Sequence, residues 1–296
     1  MRYLMILFAV LTLSQAANLA RLAAAPPEVI GFWRFLGAGI LLLLIAVWQN
    51  NGFKKFKSHY NTCSKESFKF AIVSGVFFFA HIWTFKFAAQ NTSIANAMII
   101  FATNPILTAL GSTFFLKHKF QPKILLSYFL ACIGIWLLIR KSINFDSGLK
   151  SGDISAIFTA FLYSAYLITG HEARKSVPTL NYTLIVYPIA SILFFLASSI
   201  KQHNLISYPP ITWISILLLI IFPTLLGHSV LSHLLKYINI NVISTAKLTE
   251  PVFASLMALF LFGEQLNEDI YLAFALTAIS ILILFEPWKL IKKNSH

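Results

Sequence analysis

Ten apolar stretches, each close to the length of one helix across a bilayer, follow one another with little between them. They occupy residues 3–20, 28–48, 68–90, 93–116, 122–140, 152–170, 181–200, 211–235, 241–262 and 268–288, numbered here stretches 1 to 10. A hydrocarbon core about 30 Å thick takes roughly 20 apolar residues per helix. Lipid also admits only backbone whose N–H and C=O groups pair internally. The longest connection, 49–67, leaves no room for a soluble domain. Charged residues are 11% of the chain and hydrophobic ones 58%, whereas a water-soluble domain carries about a quarter charged residues. The expected fold is therefore all-α and integral to a membrane, with ten transmembrane helices; an apolar soluble enzyme is excluded for want of polar surface.

Met1 to Ala16 holds one arginine, an apolar run and Ser14-Gln15-Ala16, features shared with a cleavable signal peptide. Cleavage would leave nine helices and break the duplication described below, so stretch 1 is read as retained.

The formal charge of +13 invites a nucleic-acid partner, but the charge is sorted by connection. With the N-terminus inside, the inner segments carry Arg2, Lys54, Lys55, Lys57, Lys65, Lys69, Lys117, Lys119, Lys123, Arg174, Lys175, Lys236, Lys289, Lys292 and Lys293. The outer ones carry only Arg21, Arg140, Lys141, Lys150 and Lys201. Fifteen against five obeys the positive-inside rule and puts both termini in the cytoplasm of a bacterial inner membrane. The partners expected are membrane lipids, which meet the basic run Lys54-Lys55-Phe56-Lys57, and a small-molecule substrate. No nucleic acid is expected, and the chain is read as a monomer or weak homodimer. Cys63 and Cys132 suggest neither a disulfide nor a metal site.

Stretches 4 and 9 align at an offset of 146 residues without a gap, pairing Thr103 with Thr249, Pro105 with Pro251 and Phe114 with Phe260. Five helices per half is odd, so the second half enters the membrane upside down. The corner after stretch 4 is basic, Lys117-His118-Lys119, and the corner after stretch 9 is acidic, Gly263-Glu264-Gln265. The expectation is two inverted five-helix repeats, 1–143 and 152–288, with a site between them near mid-membrane.

In this order the motifs resemble the EamA-like family of the drug/metabolite transporter superfamily. They are Pro27-x6-Arg34, Pro105 with a Phe-Leu helix end, Gly134, Gly152-Asp153, Leu248-Thr249-Glu250-Pro251-Val252 and Phe262-Gly263-Glu264-Gln265-Leu266. The resemblance implies ten helices, cytoplasmic termini and alternating access. One departure stands out: the family's Gly-Glu at the end of the fourth helix is Lys117-His118 here.

A charge at a helix centre costs about 2.5–3.5 kcal/mol on insertion scales, so polar residues inside the stretches need an account. Lys247 and Glu250 share a helix face and either neutralise each other or line a cavity. Pro251 cannot donate to the carbonyl of Lys247, which leaves that carbonyl free; Pro105 and Pro251 are the expected helix breaks or gates. Arg34 is read as an interface anchor or a partner of Glu28, and Lys86 as a snorkelling lysine. The substrate-binding candidates are Asn18, His81, Trp83, Asn96, Tyr166, His228, Lys247 and Glu250. Some of these polar groups, with Asn104 and Tyr163, are expected to serve as interhelical glue instead. No aromatic box is assigned among the 28 phenylalanines.

No Gly-x4-Gly-Lys-Ser/Thr phosphate loop occurs in the chain, so transport would be driven by a gradient or by exchange. No zincin or nucleophile-elbow pattern occurs either, and the chain is read as a non-enzyme without cofactor or metal. The leading function is a secondary transporter of a small polar metabolite, an amino acid or related zwitterionic or anionic solute. The alternatives are a lipid or lipid-linked sugar flippase of the same architecture and an integral-membrane transferase. In a chain with Cys63 and Cys132 replaced by serine, Asn144→Cys and Asn267→Cys should each react with an impermeant maleimide from outside the cell. Labelling from the cytosol alone would refute the topology.

Overall fold

In the computed structural model the described residues are 2–49, 64–91, 100–101, 103–117, 122–139, 151–263 and 269–285. They are helical, with no strand among them. The helices are α1 (Arg2–Leu13), α2 (Ala16–Ala23), α3 (Pro27–Gln49), α4 (Lys65–Asn91), α5 (Asn104–Leu116), α6 (Pro122–Ile139), α7 (Ser151–Arg174), α8 (Thr179–Ile200), α9 (Pro210–Leu219), α10 (Ser229–Leu234), α11 (Ile240–Ala246), α12 (Glu250–Phe262) and α13 (Asp269–Phe285). A π-helix, Ile220–His228, joins α9 to α10, and a 3-10 turn, Lys247–Thr249, joins α11 to α12. Seven continuous helical runs are long and apolar enough to cross a membrane: Arg2–Ala23, Pro27–Gln49, Lys65–Ala88, Ser151–Arg174, Thr179–Ile200, Pro210–Leu234 and Ile240–Phe262. Asn104–Leu116 and Pro122–Leu137 are apolar but shorter.

Proline explains most of the boundaries. Pro27, Pro122 and Pro210 open helices, where the missing N–H has no partner to lose and φ is already helical. Pro105 and Pro251 take the second position of α5 and α12. Each helix therefore restarts after a break, at Thr103 and at Lys247–Thr249, positions the repeat offset superposes. The same offset relates the far ends. Lys117 closes α5 at φ 55° and Gly263 closes α12 at φ 65°, both left-handed. The motif departure at Lys117 thus leaves the backbone unchanged, although a side chain there costs roughly 1–2 kcal/mol that glycine does not. Phe114 and Phe260 are each 79% exposed, so the two helices turn the same face outward.

The neighbours obey one pattern. α3 packs on α8, α6 on α13 and α5 on α11; α4 packs on α7 while α1 and α2 pack on the π-helix and α9; α4 also packs on α8, and α3 on the π-helix. Advancing every stretch by five carries this set of pairs onto itself. Exposed Leu4, Phe115, Ile200 and Phe260 cover the outside, and the large buried aromatic side chains Phe35, Phe78, Tyr163, Tyr182, Tyr187 and Phe194 fill the centre.

Two polar belts close the bundle at opposite ends of α8. At one end Glu28 accepts hydrogen bonds from Lys201 Nζ at 2.6 Å and Trp83 Nε1 at 2.9 Å, with His203 Nε2 3.6 Å away. At the other, Arg174 donates to the carbonyls of Ser232 and Val177 and to the Thr179 hydroxyl, and Arg2 stacks on Tyr237.

The α3–α8 contact is tight at Gly31. A Cβ there would fall 2.6 Å from Phe194 Cγ, near the root of a ring with no exposed surface to move into. Gly31→Ala should therefore cost about 1–3 kcal/mol, read as a lower unfolding temperature of the detergent-purified protein; an unchanged midpoint would show that α3 and α8 can separate freely.

Candidate functional site

The 3-10 turn at Lys247–Thr249 is where stretch 9 departs from a regular helix, and it carries the ion pair. Lys247 Nζ lies 3.0 Å from Glu250 Oε1, with 6% and 20% of the two side chains accessible. The carbonyl of Lys247, expected to be left free by Pro251, accepts from the Glu250 N–H. That correction has a simple cause: tightening to i→i+3 bonding supplies the donor the proline lacks. The side chain of Pro251 lies outside the described residues, as does Asn96.

Above the ion pair the surroundings are aromatic. Lys247 Nζ sits 4.3 Å from the centre of the Tyr163 ring and 6.0 Å from Phe101. His81 packs on both rings, at 4.8 Å and 5.7 Å, and its Nδ1 lies 3.4 Å from the Thr159 carbonyl. Tyr163 is 5.9 Å from Tyr166, Tyr166 is 5.0 Å from Phe78, and His228 stands edge-on to Phe78 at 4.8 Å. The Tyr166 hydroxyl pairs with Ser232 at 3.2 Å. The buried hydroxyl of Tyr163 has no hydrogen-bond partner among the described residues, although a buried hydroxyl normally finds one. A cation over aromatic faces, an acid beside it and an unsatisfied hydroxyl can together hold a small solute with both polar and apolar parts.

Of the sequence candidates, His81, Tyr166, His228, Lys247 and Glu250 converge here. Trp83 does not: it stacks on Phe79 at 5.8 Å and donates to Glu28 in the end belt, because residues two apart on a helix face different ways. Asn18 joins α2 to α12 by donating to the Ala254 carbonyl at 3.0 Å. Pro105 is buried at the start of α5, next to Asn104, which bonds Ala160, Ser164 and Ser244 and so ties α5 to α7 and α11. Tyr163 and Phe101 are the members of the cluster that the candidate set lacked. Tyr163 was discoverable, lying three residues before Tyr166 on one face of α7; Phe101 carries no such signal.

Of the two readings of Arg34, the pair with Glu28 is not formed. Six residues apart on α3, the two point about 120° apart around the helix, and Glu28 is held in the end belt. Arg34 instead donates through Nε to Thr224 Oγ1 at 2.6 Å, and Thr224 Oγ1 donates to the Leu219 carbonyl at 2.8 Å. Leu219 is the i−4 partner that Pro223 cannot serve, so the threonine fills the gap that proline opens.

A shallow apolar cleft of about 250 Å³ runs between α3 and α8, lined by Phe35, Leu36, Gly39, Ile40, Leu43, Leu184 and Pro188. Ile40 is 49% exposed at its rim, and Phe35 is fully buried at its floor.

Comparison with known proteins places this architecture. The EamA-like transporter family matches residues 1–140 and again residues 150–286; the chain belongs to that family and is a multi-pass membrane transporter. It is 28% identical over 235 residues to the uncharacterized transporter YyaM of Bacillus subtilis, covering 76% of this chain and 74% of that protein. Similarity to the uncharacterized transporter YwfM of the same organism is 23% over 269 residues, 88% and 85% of the two chains. An uncharacterized transporter of Archaeoglobus fulgidus is 23% identical over 208 residues, 70% of this chain and 73% of its own. One crystal structure superposes with a TM-score of 0.80 over 96% of this chain and 98% of its own at 17% identity, a likeness of fold alone.

Removing one member of a buried ion pair leaves the other uncompensated, at a cost of about 3–5 kcal/mol when burial is complete. With a fifth of Glu250 accessible, Lys247→Met or Glu250→Gln alone should cost nearer 2 kcal/mol, and the double variant less than the sum. Strict additivity in thermal unfolding would show the two charges to be independent.

Proposed function

We propose that the chain is a secondary transporter that moves a small polar metabolite, an amino acid or related zwitterionic or anionic solute, across a bacterial inner membrane by alternating access. The observation that carries this reading is the Lys247–Glu250 pair, set in a break of stretch 9 among Tyr163, Phe101 and His81. Charges are placed at membrane depth where they face a pathway or a ligand, and broken helices at matched positions are how many transporters build such a site. Two inverted five-helix repeats, ten spans and cytoplasmic termini complete the reading. The duplicate family match, the neighbour set preserved under a shift of five stretches, and the opposite charge of the Lys117 and Gly263 corners support it.

Alternating access then amounts to exchanging which end belt is closed. The belt around Glu28 and the belt around Arg174 are both built of side chains from several helices. Each can part without breaking a helix, while the apolar walls stay packed. With no phosphate loop in the chain, the energy comes from a solute or ion gradient.

A second reading has one observation in its favour. The cleft between α3 and α8 is apolar, with Ile40 exposed at its rim, as a flippase of lipid or lipid-linked sugar would require for an acyl chain.

The two separate in proteoliposomes. Counterflow of radiolabelled amino acids should proceed with the wild type and be abolished by Lys247→Ala or Glu250→Gln at undiminished expression. Normal counterflow in both variants would remove the ion pair from the pathway, and accelerated flipping of a fluorescent phospholipid without solute flux would establish the second reading instead.

A further inference from the structure

Arg34 is a buried cation that no carboxylate among the described residues pairs with. It lies in α3 with 4% of its surface exposed. Its Nε is used by Thr224; its Nη2 is buried and makes no hydrogen bond among the described residues. A buried guanidinium cannot escape by losing its proton. An unpaired ion in such surroundings costs several kcal/mol. Snorkelling does not explain it either, because the head group is buried rather than at the surface.

Its setting is that of a receptor. The Phe35 ring lies 5.0 Å from the guanidinium carbon, and Phe35 leads at 5.1 Å to Phe78, which touches both His228 and Tyr166 of the central cluster. Lys86, whose Nζ is 3.5 Å from the carbonyl of Pro27, brings a second cation to the same face of α3, since Pro27 and Arg34 are two turns apart. On the opposite wall is the π-helix with Pro223 inside it. Its Thr224 carbonyl accepts from the Tyr187 hydroxyl at 3.1 Å as well as from the Ser229 N–H. Wide turns of this kind recur at functional sites.

We propose that Arg34 receives the anionic group of the transported solute, a carboxylate or phosphate, through its unpartnered Nη2. The inference rests on the solute-transport reading above and narrows it: the solute bears an anion, and the anion binds at α3 rather than at Lys247, whose charge Glu250 already balances. Thr224 fixes the fork through Nε, leaving the outer nitrogen to the ligand. A planar guanidinium suits a carboxylate or phosphate better than an ammonium does.

The test is thermal stabilisation of the purified full-length chain by matched probes at constant ionic strength: the amino acids, their carboxamides, acetate and inorganic phosphate. The wild type should be stabilised by acids and should bind the corresponding amides about tenfold more weakly. In Arg34→Gln that preference should vanish while binding of the amide persists. If Arg34→Gln does not fold, Arg34→Lys carries the test, and its acid-over-amide preference should shrink. Equal binding of acid and amide by the wild type overturns the inference and leaves solute transport standing. So does a preference unchanged in both variants. A wild type indifferent to every anion also overturns it, and proteoliposome counterflow decides separately whether the transport reading falls with it.

Discussion

Inside a bilayer no water is available to rescue an unpaired peptide group, and this requirement organises the whole molecule. Helices meet it by themselves. At the two sites where stretches 8 and 9 leave α-helical geometry, the side chains and turn types are chosen to meet it again. Opposite Pro223, the Leu219 carbonyl is served by Thr224, and the Thr224 carbonyl by Tyr187 and Ser229. Before Pro251, a 3-10 turn serves the carbonyl of Lys247. The breaks are therefore stable features of the fold, and Tyr187, which serves one of them, also packs 6.0 Å from Phe78 in the central cluster.

That coincidence shapes the chemistry of the centre. A membrane protein that needed only to stand could fill its middle with leucine. Here the middle holds Tyr163, Tyr166, Tyr182, Tyr187, His81 and His228, all buried. Most of their polar atoms are accounted for: Tyr182 by Ser74 at 2.6 Å, Tyr187 by Ser229 at 2.8 Å, Tyr166 by Ser232. Against that background the Tyr163 hydroxyl and Arg34 Nη2 stand out, both buried and without a hydrogen-bond partner among the described residues. They lie on either side of the Phe78–Tyr166 contact.

Much of the architecture could be read from the residues, and for identifiable reasons. Apolar runs of bilayer length, prolines at helix starts and the Thr-x-Pro offset of 146 are local signals, and the helices begin and break close to where these place them. The ion pair was legible because three residues apart on a helix is a fixed geometry. The arrangement around it was not. Which of 28 phenylalanines face inward depends on helix rotation, and low amphipathicity in lipid gives rotation no signature. The π-helix was invisible because an i→i+5 turn has the same composition as the helix around it. Trp83 lies away from His81 because residues two apart on a helix face different ways, and the Arg34–Glu28 pair, one of two readings of Arg34, does not form because six residues set them on different sides of α3.

Lys117 shows how two demands can meet at one residue. Its counterpart Gly263 adopts the same left-handed conformation at no steric expense. Lysine at that corner bears conformational strain and supplies a positive charge, the kind of residue that biases how a membrane chain orients. The most comfortable residue for the turn is then not the best residue for telling the chain which way to face. Two corners of one backbone geometry thus carry different chemistry, a charged side chain at one and bare backbone at the other.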